Sequence, residues 1–239
     1  MRLVGKLSCL AVVLSMSGVA ASVVSAAPAA AATSTVIVSY DDIAPAGPWA
    51  LEHTSNTGTY AFVNGPAPTP GGTGSLAMTI AEGQHEWLNN YSYGICATGP
   101  ACNSPASMTP IANFDALSYS TFRTSGTTLP TFNIEVYTTG TGGYTSLVFV
   151  PNPLLVVDGV WQTWDGITLP QGSWYSSRNV GSGVFNCASF SCSATWSQVT
   201  SSYPNAKVIY GLGPNVGSGG TFSGNVDASS APRHAPLTP

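Results

Sequence analysis

Four of the five cysteines, a few scattered carboxylates and a group of tryptophans are the residues of this chain that could do chemistry. Cys96 and Cys102 sit in the small-residue, turn-rich run Gly94–Cys102, and Cys187 and Cys192 in the run Asn186–Cys192. Four cysteines permit three pairings. Local pairing, Cys96 with Cys102 and Cys187 with Cys192, is expected, and each bridge would stiffen its own loop by about 2 kcal/mol. A zinc site is the competing reading. It has little support, because the histidines are only His53, His85 and His234 and no C-x-x-C occurs.

The carboxylates are sparse. Glycoside hydrolysis needs two of them flanking one cleft, about 5–10 Å apart. Glu135 stands alone on an alternating segment beside Asn133 and Tyr137. Glu82 and Glu86 would share a face if both lay on one strand. Neither arrangement makes a catalytic set, and no G-x-S-x-G nucleophile motif is present. Calcium wants six to eight oxygens. Asp41 and Asp42 end the first expected strand and Asp227 ends the last, so pairing of those strands would gather three carboxylates around a structural calcium. The competing reading makes Asp41 and Asp42 turn caps.

Aromatic residues point to a ligand. Trp161 and Trp164 lie an odd number of positions apart on one expected strand, so one faces the core and the other faces away. Trp174 and Tyr175 follow the turn Pro170-Gln171-Gly172, and Trp87 and Tyr91 share a strand face. A sugar ring stacks on an exposed aromatic face while Asn, Gln and Thr bind its hydroxyls. Trp161, Trp164, Trp174 and Tyr175 are therefore the expected ligand-binding residues, Trp174 being the one expected farthest from the core. Stacking of this kind is expected to be nearly insensitive to salt. Against it stands the ordinary role of tryptophan in a sandwich, which is core packing.

These residues must be positioned by strands. Alternation of apolar and polar residues marks Thr35–Tyr40, Thr59–Val63, Leu76–Ile80, His85–Tyr91, Ala116–Phe122, Thr131–Thr138, Tyr144–Val150, Val160–Asp165, Lys207–Leu212 and Thr221–Val226. Gly and Pro separate nearly all of them. In Thr131–Thr138, Phe132, Ile134 and Val136 face one way and Asn133, Glu135 and Tyr137 the other. One helix is expected where Trp196, Val199 and Tyr203 fall at helical spacing, with Ser193 as cap and Pro204 as stop. The expected fold is an all-β, antiparallel two-layer β-sandwich of jelly-roll type with one short helix.

Location follows from the start of the chain. Arg2 and Lys6 precede an uncharged, apolar run from Leu7 to Ala26, and an alanine run broken by Pro28 ends at Ala32. That order is a secretory signal peptide over residues 1–32, which also removes Cys9. A β-sandwich over 33–228 and a disordered Pro- and Ala-rich tail over 229–239 are expected to follow. The protein is expected to be secreted and extracellular, where disulfides form. Only 7% of residues are charged, against about 25% in an average globular protein. The net charge is −4, and both leader charges are basic. Arg123, Arg178, Lys207 and Arg233 are the remaining strong cations, too few to cluster on phosphates, so nucleic acid is excluded as a partner. Later apolar runs such as Leu147–Val150 are far below the ~20 residues of a membrane span. A hydrophobic content of 44% with 10% aromatics supports a packed core.

Several stretches carry a resemblance. Val63-Asn64-Gly65-Pro66 with Thr69–Leu76, Leu147–Pro151, Trp161–Asp165, and Gly217–Gly219 through Gly224–Asp227 resemble segments of a group of exported bacterial β-sandwich proteins of unassigned function. That group is similar in outline to carbohydrate-binding jelly-roll modules. The resemblance covers most of the chain after the leader, implies fold, and carries over no catalytic residue. The leading functional expectation is a non-catalytic module binding polysaccharide or cell-wall glycan. A structural or surface-interaction protein without a small ligand is the alternative, and a glycan hydrolase or lyase the third. Peptide mapping of the unreduced protein is predicted to link Cys96 to Cys102 and Cys187 to Cys192. A bridge between the two loops would overturn local pairing.

Overall fold

The structure, a computed structural model, describes residues 34–36, 49–52, 56–93, 108–167, 171–180 and 194–231. The expected leader, the four cysteines expected to pair, Asp41, Asp42, His53 and residues 232–239 lie outside them. Strand propensity and alternation produce two antiparallel sheets. The first contains β1 (Ser34–Val36), β3 (Thr59–Thr69), β4 (Gly72–Ile80), β6 (Ser118–Gly126), β9 (Trp161–Asp165) and β12 (Phe222–Ala231). Its order is β3-β4-β12-β6-β9, with β1 also on β12. The second contains β2 (Trp49–Glu52), β5 (Glu86–Asn90), β7 (Thr131–Tyr137), β8 (Tyr144–Pro151), β10 (Gly172–Ser176) and β11 (Lys207–Val216), in the order β10-β8-β7-β11-β5-β2.

The fold is thus the expected all-β two-layer sandwich. First and last strands pair as expected, Ser34 to Val36 against Ala231 to Ser229. That pairing makes Ser229–Ala231 part of the last strand and corrects the expected start of the tail.

The core lies between the sheets. Phe132, Ile134 and Val136 on β7 are completely buried, with Leu147 and Phe149 on β8 and Val208, Leu212 and Val216 on β11. Facing them are Leu76, Met78 and Ile80 of β4, Tyr119 of β6, Trp164 of β9, and Phe222 and Val226 of β12. Burying such side chains contributes roughly 1.5–3 kcal/mol each.

The helix α1 (Trp196–Ser202) closes one side of the core with Trp196 and Val199. Its cap is Thr195, two residues after the expected Ser193. The Thr195 hydroxyl accepts from the Gln198 N–H at 3.3 Å, and the Gln198 side chain accepts from the Thr195 N–H at 2.9 Å. This reciprocal pair satisfies two donors that an uncapped helix start leaves open.

Strands β2 and β10 were not expected, and β10 changes the reading of its tryptophan. Trp174 pairs with Phe149 across β10 and β8 and is 0% exposed. Its ring lies 4.8 Å from that of Trp196 and 5.5 Å from that of Phe149, and its indole N–H donates to the Gly166 carbonyl at 2.7 Å. Trp174 is a core residue, which corrects the expectation of exposure beside a turn. Trp174→Ala is predicted to lower stability by about 3–5 kcal/mol, measured by denaturant unfolding. A loss below about 1 kcal/mol would contradict this packing.

Candidate functional site

The other expected ligand residues sort by face. Trp164 is 1% exposed, and its N–H donates to Thr121 Oγ1 at 2.8 Å. Trp161 points the other way, as the odd spacing requires. It is half-buried against Phe122, ring centroids 5.6 Å apart, and its N–H donates to the Pro66 carbonyl at 2.8 Å. Tyr175 is half-buried and packs against the core margin. Trp87 lies on β5, but Tyr91 begins a 3-10 turn just beyond it. The tryptophans therefore offer no shared stacking platform.

Trp161 instead anchors a cover. The β3–β4 hairpin tip folds over the outer face of the first sheet. Pro66 meets Trp161 on the far edge strand, Ser75 Oγ donates to the Gly65 carbonyl at 2.5 Å, and Gly71 N–H donates to Asp227 at 2.7 Å. A Cβ on Gly71 would stand 2.8 Å from the Asp227 carboxylate, so a side chain there would push that carboxylate aside. Asp227, expected as a calcium ligand, pins this hairpin. Among the described residues no group of three or more His, Cys, Asp or Glu side chains could hold a metal.

The carboxylates expected as a pair are also separated. Glu82 is exposed ahead of β5, while Glu86 is fully buried and pairs with Val216 on the core side. Glu135 pairs with Ser146 on the opposite side of the same sheet. The sheet itself keeps Glu86 and Glu135 from flanking one cleft.

What assembles on the outer face of the second sheet is a row of tyrosines between cations. Tyr144 of β8 pairs directly with Tyr137 of β7, and Tyr137 pairs with Lys207 of β11. Directly paired residues on a sheet face bring their Cβ atoms to about 5 Å. Arg178, just past β10, lies with its guanidinium 4.6 Å above the Tyr144 ring centroid, a cation–π contact. Tyr210 packs edge-on to Tyr144 at 6.0 Å. Beneath the row Glu135, 7% exposed, accepts a short hydrogen bond from the Tyr144 hydroxyl. Burial, then the hydrogen bond to Glu135 and its negative charge, push the Tyr144 phenol up to about 12, against the opposing pull of a hydrogen bond to Ser146 and the charge of Arg178.

A cleft of about 380 Å³ adjoins the row, lined by Pro110, Thr139, Gly140, Thr141, Asn205 and Lys207 among others. Its volume falls in the range of small-ligand sites, about 300–1,000 Å³. The turn between β7 and β8 forms one wall. Thr138 and Thr139 side chains donate to the Gly143 and Gly142 carbonyls at 3.1 and 3.0 Å. Gly140 adopts φ +81°, and a Cβ there would press on the Asn205 carbonyl at 3.0 Å. The wall is fixed in shape, and it presents hydroxyls, an amide and an ammonium.

Sequence reasoning singled out Glu135 and Tyr137 as outward-facing but missed Tyr144, Tyr210, Arg178 and Lys207 as their neighbours. The signal for Tyr144 was present, since a six-residue turn after Tyr137 sets Tyr144 opposite it. No family model, no curated protein and no solved structure matches this chain.

Tyr144 makes the site measurable. Its phenol ionises near pH 10 when unfolded and near 12 when folded. Its contribution to stability is therefore whole below about pH 10 and is lost as pH rises toward 12. Buried Tyr119, which donates to the Pro130 carbonyl at 2.6 Å, is pushed up as well. Stability is predicted to fall between about pH 10 and 12, and Tyr144→Phe to make that fall shallower. An identical alkaline slope in the variant would show that Tyr144 is not held protonated by the fold.

Proposed function

We propose that this protein is a secreted, non-catalytic β-sandwich module that binds a polysaccharide or cell-wall glycan on the outer face of its second sheet. The observation that carries the reading is the Tyr144–Tyr137 pair, bordered by Glu135 and Ser146 and meeting, at Lys207, a cleft that also holds Thr139, Thr141 and Asn205. Sugar faces stack on aromatic rings, and their hydroxyls need both donors and acceptors. The strand order supports the jelly-roll reading. Strands β4 to β9 alternate between sheets apart from the β7–β8 hairpin, and β11 and β12 return to the centre of each. Stacking moves from the expected tryptophans to the tyrosines.

A second reading, a surface-interaction protein without a small ligand, is favoured by one feature. In the β8–β9 connection Leu154 is 90% exposed, and Leu155, Val157 and Val160 are about half-exposed. An apolar patch of this kind marks an interaction surface. The two readings predict different outcomes. In affinity electrophoresis through a panel of polysaccharides, the exported chain is predicted to be retarded by at least one, and Tyr137→Ala to lose most of that retardation at unchanged melting temperature. No retardation by any glycan would leave the surface-interaction reading.

A further inference from the structure

We propose that the glycan is acidic, and that uronate carboxylates are taken at the Arg178–Tyr144–Tyr137–Lys207 row. This rests on the glycan-binding reading and deepens it. The chain holds six Lys and Arg in all, and two of them border one row of one sheet face. Lys207 stands two strands from Tyr144, about 10 Å at the usual strand spacing, and Arg178 lies on the Tyr144 ring. That span exceeds one sugar ring, so consecutive uronates of one chain lying on the tyrosines would meet Arg178 and Lys207. Arg123, by contrast, is spent on Asp158 at 2.5 Å.

Among the described residues neither Arg178 nor Lys207 makes an ion pair. The carboxylate of this face, Glu135, is nearly buried and occupied by the Tyr144 hydroxyl. It leaves exposed Arg178 and half-buried Lys207 as the charged groups a ligand meets first. A guanidinium offers paired donors that match a carboxylate. Lys207 also lines the cleft, where Thr139, Thr141 and Asn205 can take the hydroxyls of the uronate it meets. The protein as a whole is acidic, so general attraction to polyanions does not explain such binding. Binding is then expected to weaken with salt, in contrast to the expectation from tryptophan stacking alone.

The test is affinity electrophoresis of the exported chain through gels containing polygalacturonate, the same polymer fully methyl-esterified, or chitosan. Polygalacturonate is expected to retard it, and raising ionic strength from about 0.05 to 0.5 M to weaken the effect, because the Debye length shrinks several-fold. Arg178→Gln and Lys207→Gln are each expected to weaken retardation about tenfold, the scale of one lost charge-assisted hydrogen bond, while Arg123→Gln leaves it unchanged. Equal retardation by acid and ester forms would overturn the acidic ligand and leave glycan binding standing. Preference for chitosan would also overturn it. Retardation by none of the three, with a neutral glycan still bound in the wider panel, would overturn the inference alone; silence across the whole panel would overturn both. Unchanged binding of polygalacturonate in both charge variants would sink the proposed row.

Discussion

The strand β7 constrains everything around it. Phe132, Ile134 and Val136 are sealed between the sheets without measurable exposure, and a strand has only two faces. Their burial forces Asn133, Glu135 and Tyr137 to the outside. A slip of one residue would carry three apolar side chains into water and an acid into the core, so the register is strongly fixed. Because β7 lies between β8 and β11, the same constraint sets which residues stand beside the outward ones. Ser146 is placed against Glu135, Tyr144 against Tyr137, and Lys207 against Tyr137 on the other side. The strand positions of Tyr137, Tyr144 and Lys207 are thus a consequence of core packing.

The two outer faces meet water differently. On the first sheet the hairpin tip spends the polar groups internally: Trp161 binds Pro66, Asp227 binds Gly71, and Asn225 binds Ser75 at 2.9 Å. A face whose donors and acceptors are already paired has little to offer a ligand. On the second sheet Tyr137, Tyr144 and Tyr210 are only half-buried, and Arg178 is exposed. Glu135 is the costly member, since an ionised carboxylate loses hydration when buried. The Tyr144 hydroxyl offsets part of that loss. Arg178 over the Tyr144 ring adds a compensating charge nearby.

The strands and the core were largely legible in the sequence because alternation is local. Each inward residue of β7 could be read from two neighbours. Trp174 was misread for a nonlocal reason. The Pro170–Gly172 turn suggested a surface position, but Gly172 enters β10 hard against β8, where a Cβ would meet the Val150 carbonyl at 2.0 Å. That close pairing, with Trp196 arriving from α1, buries the ring. Asp227, expected to end the last strand, lies inside β12, and its partner Gly71 is 156 residues away, which no spacing rule supplies. The candidate site was half legible. Glu135, Tyr137 and Tyr144 belong to one hairpin. Arg178 and Lys207 reach it only through the pairing of β10 with β8 and β11 with β7.

Scarcity of charge sharpens what remains. In a chain where charge is common, two cations beside two tyrosines would be ordinary surface. Here Gly, Ser, Thr and Asn fill most exposed positions, and each charge sits in a low background. Arg123 and Asp158 support the connection that presents Leu154, where Gly159 N–H also donates to the Arg123 carbonyl at 2.8 Å. Gln162 ties down the same connection through Val157 N–H and the Leu155 carbonyl, both at 2.7 Å. The exposed leucine is therefore held in place by specific bonds. It lies beyond Pro151, at the opposite end of β8 from Tyr144. A polymer on the tyrosine row and an apolar partner on the Leu154 tip would not compete for the same surface.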